Sequence, residues 1–133
     1  MSNNIELVRL LIERGFNQGD LSVADEVCAK ELTEHAYPAP TGLSGPEILK
    51  SQIRTLRTQF PDLNLTIEDI TASGDKVWVQ IVTRGTDPRS GESITVREID
   101  LCRFENGLMV EHWGIPDPFG RPSDTGGGHR LQA

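Results

Sequence analysis

Three side chains near the end of this sequence have the right types and spacing to move protons. Glu98 and Asp100 lie two residues apart, and His112 follows in the next segment. A carboxyl group carried into an apolar pocket has its pKa raised toward neutrality, which suits a general base. A neutral imidazole can take or give a proton near physiological pH. The chemistry expected is removal of a proton α to a carbonyl by Asp100, with His112 or His35 donating to the developing oxyanion, and Glu98 placed among the residues that could contact substrate. The same residues have plainer readings. Glu98 and Asp100 could sit at a wet rim or pair with Arg84 or Arg97, and His112 could be a hydrogen-bonded structural histidine.

Other residues could complete such a site. His35 precedes a proline-rich segment, at the expected pocket mouth, and Asp100, His112 and His35 could form a relay; alternatively His35 is an exposed loop residue. Trp78 and Trp113 could wall a pocket against a flat ring, or Trp113 could pack in the core. Phe60, followed by Pro61 and Asp62, could touch ligand or close a helix onto a sheet. Tyr37 could donate a hydrogen bond to a carbonyl or pack on its loop. Arg84 could steady an enolate or form an external ion pair. His129 lies in the last residues and is assigned no role.

Several chemistries are disfavoured. There is no GxSxG, no P-loop and no dinucleotide fingerprint. The histidines lack an HxxxH spacing, and Cys28 and Cys102 form no CxxC pair, so neither a metal nor another cofactor is expected. Two free thiols flanked by apolar residues suit a reducing cytoplasm. The chain of 133 residues fits one domain, and 36% hydrophobic residues suffice for a core. Thirteen basic against twenty acidic residues give a net charge of −7, which argues against nucleic acid or an anionic membrane as partner. No apolar run approaches a membrane span.

The positioning elements follow from periodicity. Residues 4–16 read as an amphipathic helix, with Ile5, Val8, Leu11 and Ile12 on one side. Asp20 can cap a second helix at 21–28. Residues 31–36 read as a short extended segment. Ser44 and Glu47 form a capping box, with Pro46 in the first turn of a third helix that ends near Phe60. From Leu63 the period changes to two. Strands are expected at 65–70, 76–85, 92–104 and 108–115, joined by turns at 72–75, 87–91 and 105–107. In 92–104 the even positions Val96, Glu98, Asp100, Cys102 and Phe104 share one face. His112 shares a face with Gly114, and Glu111 with Trp113. Helices followed by a meander predict an α+β domain over 1–117. Residues 118–133, with three consecutive glycines, read as a flexible tail.

Taken together, Asn17-Gln18-Gly19-Asp20, Glu34-His35, Gly42, Gln59-Phe60-Pro61-Asp62, Gly74-Asp75-Lys76-Val77, Arg84-Gly85-Thr86, Arg103-Phe104-Glu105-Asn106-Gly107 and Val110-Glu111-His112-Trp113 resemble the SnoaL-like polyketide cyclases of the nuclear transport factor 2 superfamily. The resemblance implies a cone-shaped fold with three N-terminal helices on a curved antiparallel sheet, an apolar pocket at the wide end, and homodimerisation through the outer sheet face. It also implies small-molecule chemistry without cofactor or metal. Members close rings by intramolecular aldol chemistry; relatives hydrolyse epoxides, isomerise steroids or dehydrate small molecules. One departure matters. The best-studied cyclases carry a catalytic Asp directly after the Trp of the last strand, where this chain has Gly114. A second pocket position of those enzymes matches Asp100. The first reading is therefore a cyclase or isomerase acting on a carbonyl-bearing cyclic substrate. The alternatives are an epoxide hydrolase-like enzyme and a non-catalytic ligand-binding dimer, the latter favoured by Gly114.

Overall fold

A computed structural model of the chain describes residues 3–117; the expected tail at 118–133, with His129, lies outside the described residues. Helix α1 spans Asn3–Leu10 and runs directly into a π-helical stretch, Leu11–Phe16. The spacing of Val8, Leu11 and Ile12 buries all three. The wider turn is closed by the Asn17 N–H on the Ile12 carbonyl at 3.0 Å. Asn17 then ties the helix to the sheet, bonding the Leu65 N–H and carbonyl at 2.7 and 2.9 Å.

Helix α2 is short, Val23–Val27. The Asp20 carboxyl holds the turn before it through the Ser22 N–H and hydroxyl, so α2 starts later than the expected 21. Helix α3, Gly45–Gln59, has the expected capping box: Ser44 accepts from the Glu47 N–H, and Glu47 accepts from the Ser44 N–H. Its Ile48, Leu49 and Ile53 are buried.

Four strands form the expected antiparallel meander: β2 Asn64–Ser73, β3 Lys76–Thr86, β4 Ser93–Glu105 and β5 Leu108–Pro116. The β4–β5 turn is tight because Asn106 and Gly107 both take positive φ, 52° and 78°. The extended segment expected at 31–36 is a fifth strand, β1 Cys28–Glu34, and it pairs parallel to β5 at the sheet edge. The sheet, in order β1-β5-β4-β3-β2, is thus mixed rather than wholly antiparallel. An exposed edge strand reading Cys-Ala-Lys-Glu-Leu-Thr-Glu has no clean period of two, so its pairing leaves little trace in the sequence. The result is a curved α+β sheet packed under a few helices.

Two bulges shape the curve and set which side chains face inward. On β2 the register slips between Ile67 and Asp69. Leu65 and Ile67 pack toward the core before it, and Ile70, opposite Val79, does so after it. On β5 the slip leaves Val110 extra, so Met109 and His112 both stand on the concave face.

Phe60 is fully buried. Its N–H closes α3 on Leu56, and its ring lies against Gly85, where an added Cβ would come within 2.8 Å of the Phe60 Cβ. Phe60 is therefore core, not pocket wall, its ring filling the space against Gly85 of β3.

Candidate active site

A cavity of about 170 Å³ lies between the helices and the concave sheet face. Much of its wall is apolar, from side chains such as Val8, Leu11, Leu49, Leu65, Val79 and Ile81. Its polar part is built by the strand register. Val79, Asp100 and Gly114 are cross-strand partners, as are Ile81, Glu98 and Pro116, and Val77, Cys102 and His112. Strand alternation therefore sends Glu98, Asp100, Cys102 and His112 into the cavity.

His112 is the hub. Its Nδ1 lies 2.6 Å from Glu34 Oε2 and its Nε2 lies 3.0 Å from Asp100 Oδ2. Burial disfavours a charged ring, but hydrogen bonds and charges from Asp100 and Glu34 outweigh it and push the pKa up to about 10. The ring is an imidazolium at neutral pH, with both N–H groups committed to carboxyls. Glu34, almost wholly buried as a side chain, is placed by β1: it is the direct Cα partner of His112. Burial opposes its ionisation. The His112 contact, with the Gln52 amide at 3.0 Å and the Ala36 N–H at 3.0 Å, brings its pKa below the ordinary value nonetheless.

Asp100 Oδ2 is thus held, while its Oδ1 is buried with no hydrogen-bond partner. Beside it stands Glu98, which accepts the Tyr37 hydroxyl at 2.7 Å on Oε2 and 3.0 Å on Oε1. Burial first, and then the Asp100 charge, push the Glu98 pKa up to about 7, against the opposing pull of the Tyr37 hydrogen bond. Burial and the neighbouring acids raise Tyr37 well above the ordinary phenol value, so it keeps its proton. Cys102 also lines the cavity, but burial raises its thiol well above the ordinary value, and Cys28 goes the same way, to about 12. Neither is poised as a nucleophile. Among the described residues no group of three or more His, Cys, Asp or Glu is arranged to hold a metal ion.

This architecture agrees with what the sequence matches. The model of the SnoaL-like polyketide cyclases matches over residues 6–121. The chain belongs to the SnoaL-like polyketide cyclase family. Similar solved structures include TsrD from Streptomyces laurentii, 27% identical, with 90% of this chain and 91% of that one covered at a TM-score of 0.77. Another is IdmH from Streptomyces antibioticus, 29% identical, with 86% and 91% covered at 0.72. A third is a nuclear transport factor 2-like protein of unknown function from Burkholderia pseudomallei, 28% identical, with 88% and 92% covered at 0.71. No curated protein matches the chain.

Within this SnoaL-like domain the sequence-level candidates divide by sheet face. Asp100, His112, Glu98 and Tyr37 line the cavity. His35 does not reach the mouth. Because Glu34 faces inward, His35 faces outward, stacks on Trp113 with centroids 4.6 Å apart and bonds Glu111 at 2.9 Å. The relay through His35 is therefore not formed. Trp78 and Trp113 are both cross-strand partners of Leu101 on the outer face and are not among the residues that line this cavity. Arg84 is also outward, opposite Asn64 and Thr95, and exposed, too far round the strand to meet an enolate. Arg97 is occupied with Glu68 at 3.6 Å, not with Glu98 or Asp100. The residues missed are Glu34 and Gln52. Strand parity could have found Glu34, had 31–36 been read as pairing beside His112.

Gly114 has a physical reason in this family member. A Cβ there would lie 2.9 Å from Asp100 Oδ1 and 3.3 Å from both Glu98 Oε2 and Ala36 Cβ. Asp100 cannot swing aside freely, because Oδ2 is held by His112. Gly114→Ala is expected to displace the Asp100 carboxyl and lower the His112 pKa from about 10. NMR titration of the imidazole reads this directly; an unchanged His112 titration would show that Gly114 is not needed for the contact.

Proposed function

We propose that this protein is a cofactor-free cyclase or isomerase in which Asp100 is the general base and Glu98 the general acid. The observation that carries this reading is the half-satisfied Asp100 carboxyl. One oxygen is fixed by His112; the other is buried with no fixed donor, the neighbouring Glu98 carboxyl being able to donate to Asp100 when it is protonated. A carboxyl held in this way, in a residue that lines the cavity, keeps one oxygen available to a ligand. Asp100 Oδ1 takes a proton from the carbon α to a carbonyl. Glu98 gives its proton to the carbonyl oxygen, so that an enol forms rather than a full enolate. The enol then attacks a second carbonyl, closing a ring: its O–H proton returns to Glu98 and Asp100 gives its proton to the new alkoxide. In an isomerisation Asp100 instead returns its proton to another carbon as Glu98 takes back the enol proton. His112 acts as a positioning residue: its two N–H groups face Glu34 and Asp100, which supports orientation rather than proton donation to substrate.

The experiment is α-proton exchange of small cyclic ketones in heavy water, followed by NMR. Exchange is expected with wild type and is expected to fall as pH rises through about 7, where Glu98 loses its proton. Exchange that is flat across this range would remove Glu98 from the acid role. Labelled water separates the hydrolytic alternative: incorporation of its oxygen into product would favour epoxide opening.

A homodimer is part of the same reading. Trp78, Ile99 and Ile115 are exposed by 43%, 48% and 65%. Ile99 is the cross-strand partner of Ile115, and Trp78 of Leu101, so they form one apolar region on the outer sheet face. We propose that a second copy covers it, and sedimentation of wild type against Ile99→Lys tests this.

A further inference from the structure

The charges lining the cavity constrain what can enter it, and this step rests on the same cavity as the reading above. Among the described lining residues there is no lysine and no arginine. The titratable groups are Tyr37, Glu98, Asp100, Cys102 and His112 from the loop after β1, from β4 and from β5, with Glu34 behind His112. The one cation, His112, has a carboxyl on each ring nitrogen. The Tyr37 hydroxyl points at Glu98, and the Gln52 amide nitrogen at Glu34. The polar groups left for a ligand are neutral: Ser51, Thr55, Gln59 and Thr83. Asp100 Oδ1, the buried oxygen without a partner, adds negative potential and nothing that could receive an anion.

We propose that the cavity is a charge filter: it admits neutral and cationic ring-sized molecules and rejects carboxylates and phosphates, so the substrate meets the site without an anionic group. The size follows from the volume. An apolar cavity of about 150 Å³ holds a benzene ring, and about 170 Å³ here accommodates one substituted ring. The sign follows from Coulomb's law at short range in a poorly solvated site. A ligand anion meets Asp100 and Glu98 with no counter-ion to spare, whereas an ammonium or a neutral carbonyl does not.

The test is calorimetric binding of three ring-sized probes at pH 8, namely acetophenone, benzylamine and benzoate. Acetophenone and benzylamine are expected to bind, and benzoate about a hundredfold more weakly than acetophenone. In the double variant Glu98→Gln/Asp100→Asn that ratio is expected to fall by about tenfold or more. In wild type, benzoate is expected to bind more tightly at pH 6 than at pH 8, because Glu98 regains its proton while benzoate stays ionised. Acetophenone should change little. The wild-type pH series decides the matter even if the double variant does not fold. Benzoate binding as tightly as acetophenone would overturn the filter, as would a benzoate affinity that ignores pH or an unchanged ratio in the folded double variant. Binding of none of the three would overturn the size class. These are equilibria, so failure of the exchange chemistry would leave them intact. A cavity that accepts benzoate would, conversely, leave Asp100 free to act as base.

Discussion

Asp100→Asn is expected to slow α-proton exchange by about 10²–10⁴-fold, the usual worth of a positioned general base, with the fold retained. Asparagine keeps an oxygen that can accept from His112 Nε2, and Glu34 still holds Nδ1. It also removes the charge that helps raise Glu98. Losing that charge moves the Glu98 titration to lower pH. The residual rate should therefore fall off at lower pH than in wild type. The two readouts are independent. A merely structural Asp100 would leave the rate within a few-fold; a base that does not face Glu98 would lower the rate and leave the pH limb in place. Melting temperature, measured alongside, separates both from unfolding.

The largest stability effect is expected at His112. His112→Leu leaves the buried Glu34 carboxyl without its cation, and removing one partner of a buried pair costs about 3–5 kcal/mol. Gln52 and the Ala36 N–H remain on Glu34 and limit the damage. Adding Glu34→Gln to His112→Leu should then recover part of the loss, so that the double variant is more stable than the sum of the singles implies. Strict additivity in chemical denaturation would show that the two do not interact. The pH dependence has a definite sign. The folded-state pKa of His112 is raised, from 6.5 to about 10. Its contribution is fully present below about pH 6.5 and is lost as pH rises through about 10. Glu98 is also raised, from 4.5 to about 7, and loses its contribution as pH rises through about 7. Glu34 is lowered and works in the opposite direction, in acid. Wild type should therefore lose stability in two stages as pH rises, the first between about 4.5 and 7 from Glu98 and the second between about 6.5 and 10 from His112, and Glu98→Gln should lack the first.

What could be read from the sequence tracks how local the physics is. The α3 start was legible because a capping box and a first-turn proline satisfy helix N–H groups within four residues. The β4 face was legible because alternation alone places Glu98 and Asp100 together, and Asn106-Gly107 announces its own turn. The site failed where placement depends on distant pairing. Glu34 and His35 are neighbours in sequence, and only the parallel register with β5 decides that the first turns in and the second turns out. The tryptophans were misplaced because an aromatic ring reads as pocket or core by composition, whereas strand parity sends both to the outer face. The bulge at Val110 is equally silent: one extra residue reverses parity between Met109 and His112 without a proline or glycine to mark it.

The segregation of aromatic rings between the two sheet faces has an optical consequence. The chain has two tryptophans and a single tyrosine. Both indoles stand outside, one stacked on His35, while the phenol stands in the cavity against Glu98. The two chromophores absorb and emit at separable wavelengths. Filling of the cavity should perturb the tyrosine ultraviolet difference spectrum and leave indole emission almost still. Burial of the outer face should shift indole emission, with the phenol unmoved. The unlabelled protein thus carries one reporter for each of its two surfaces.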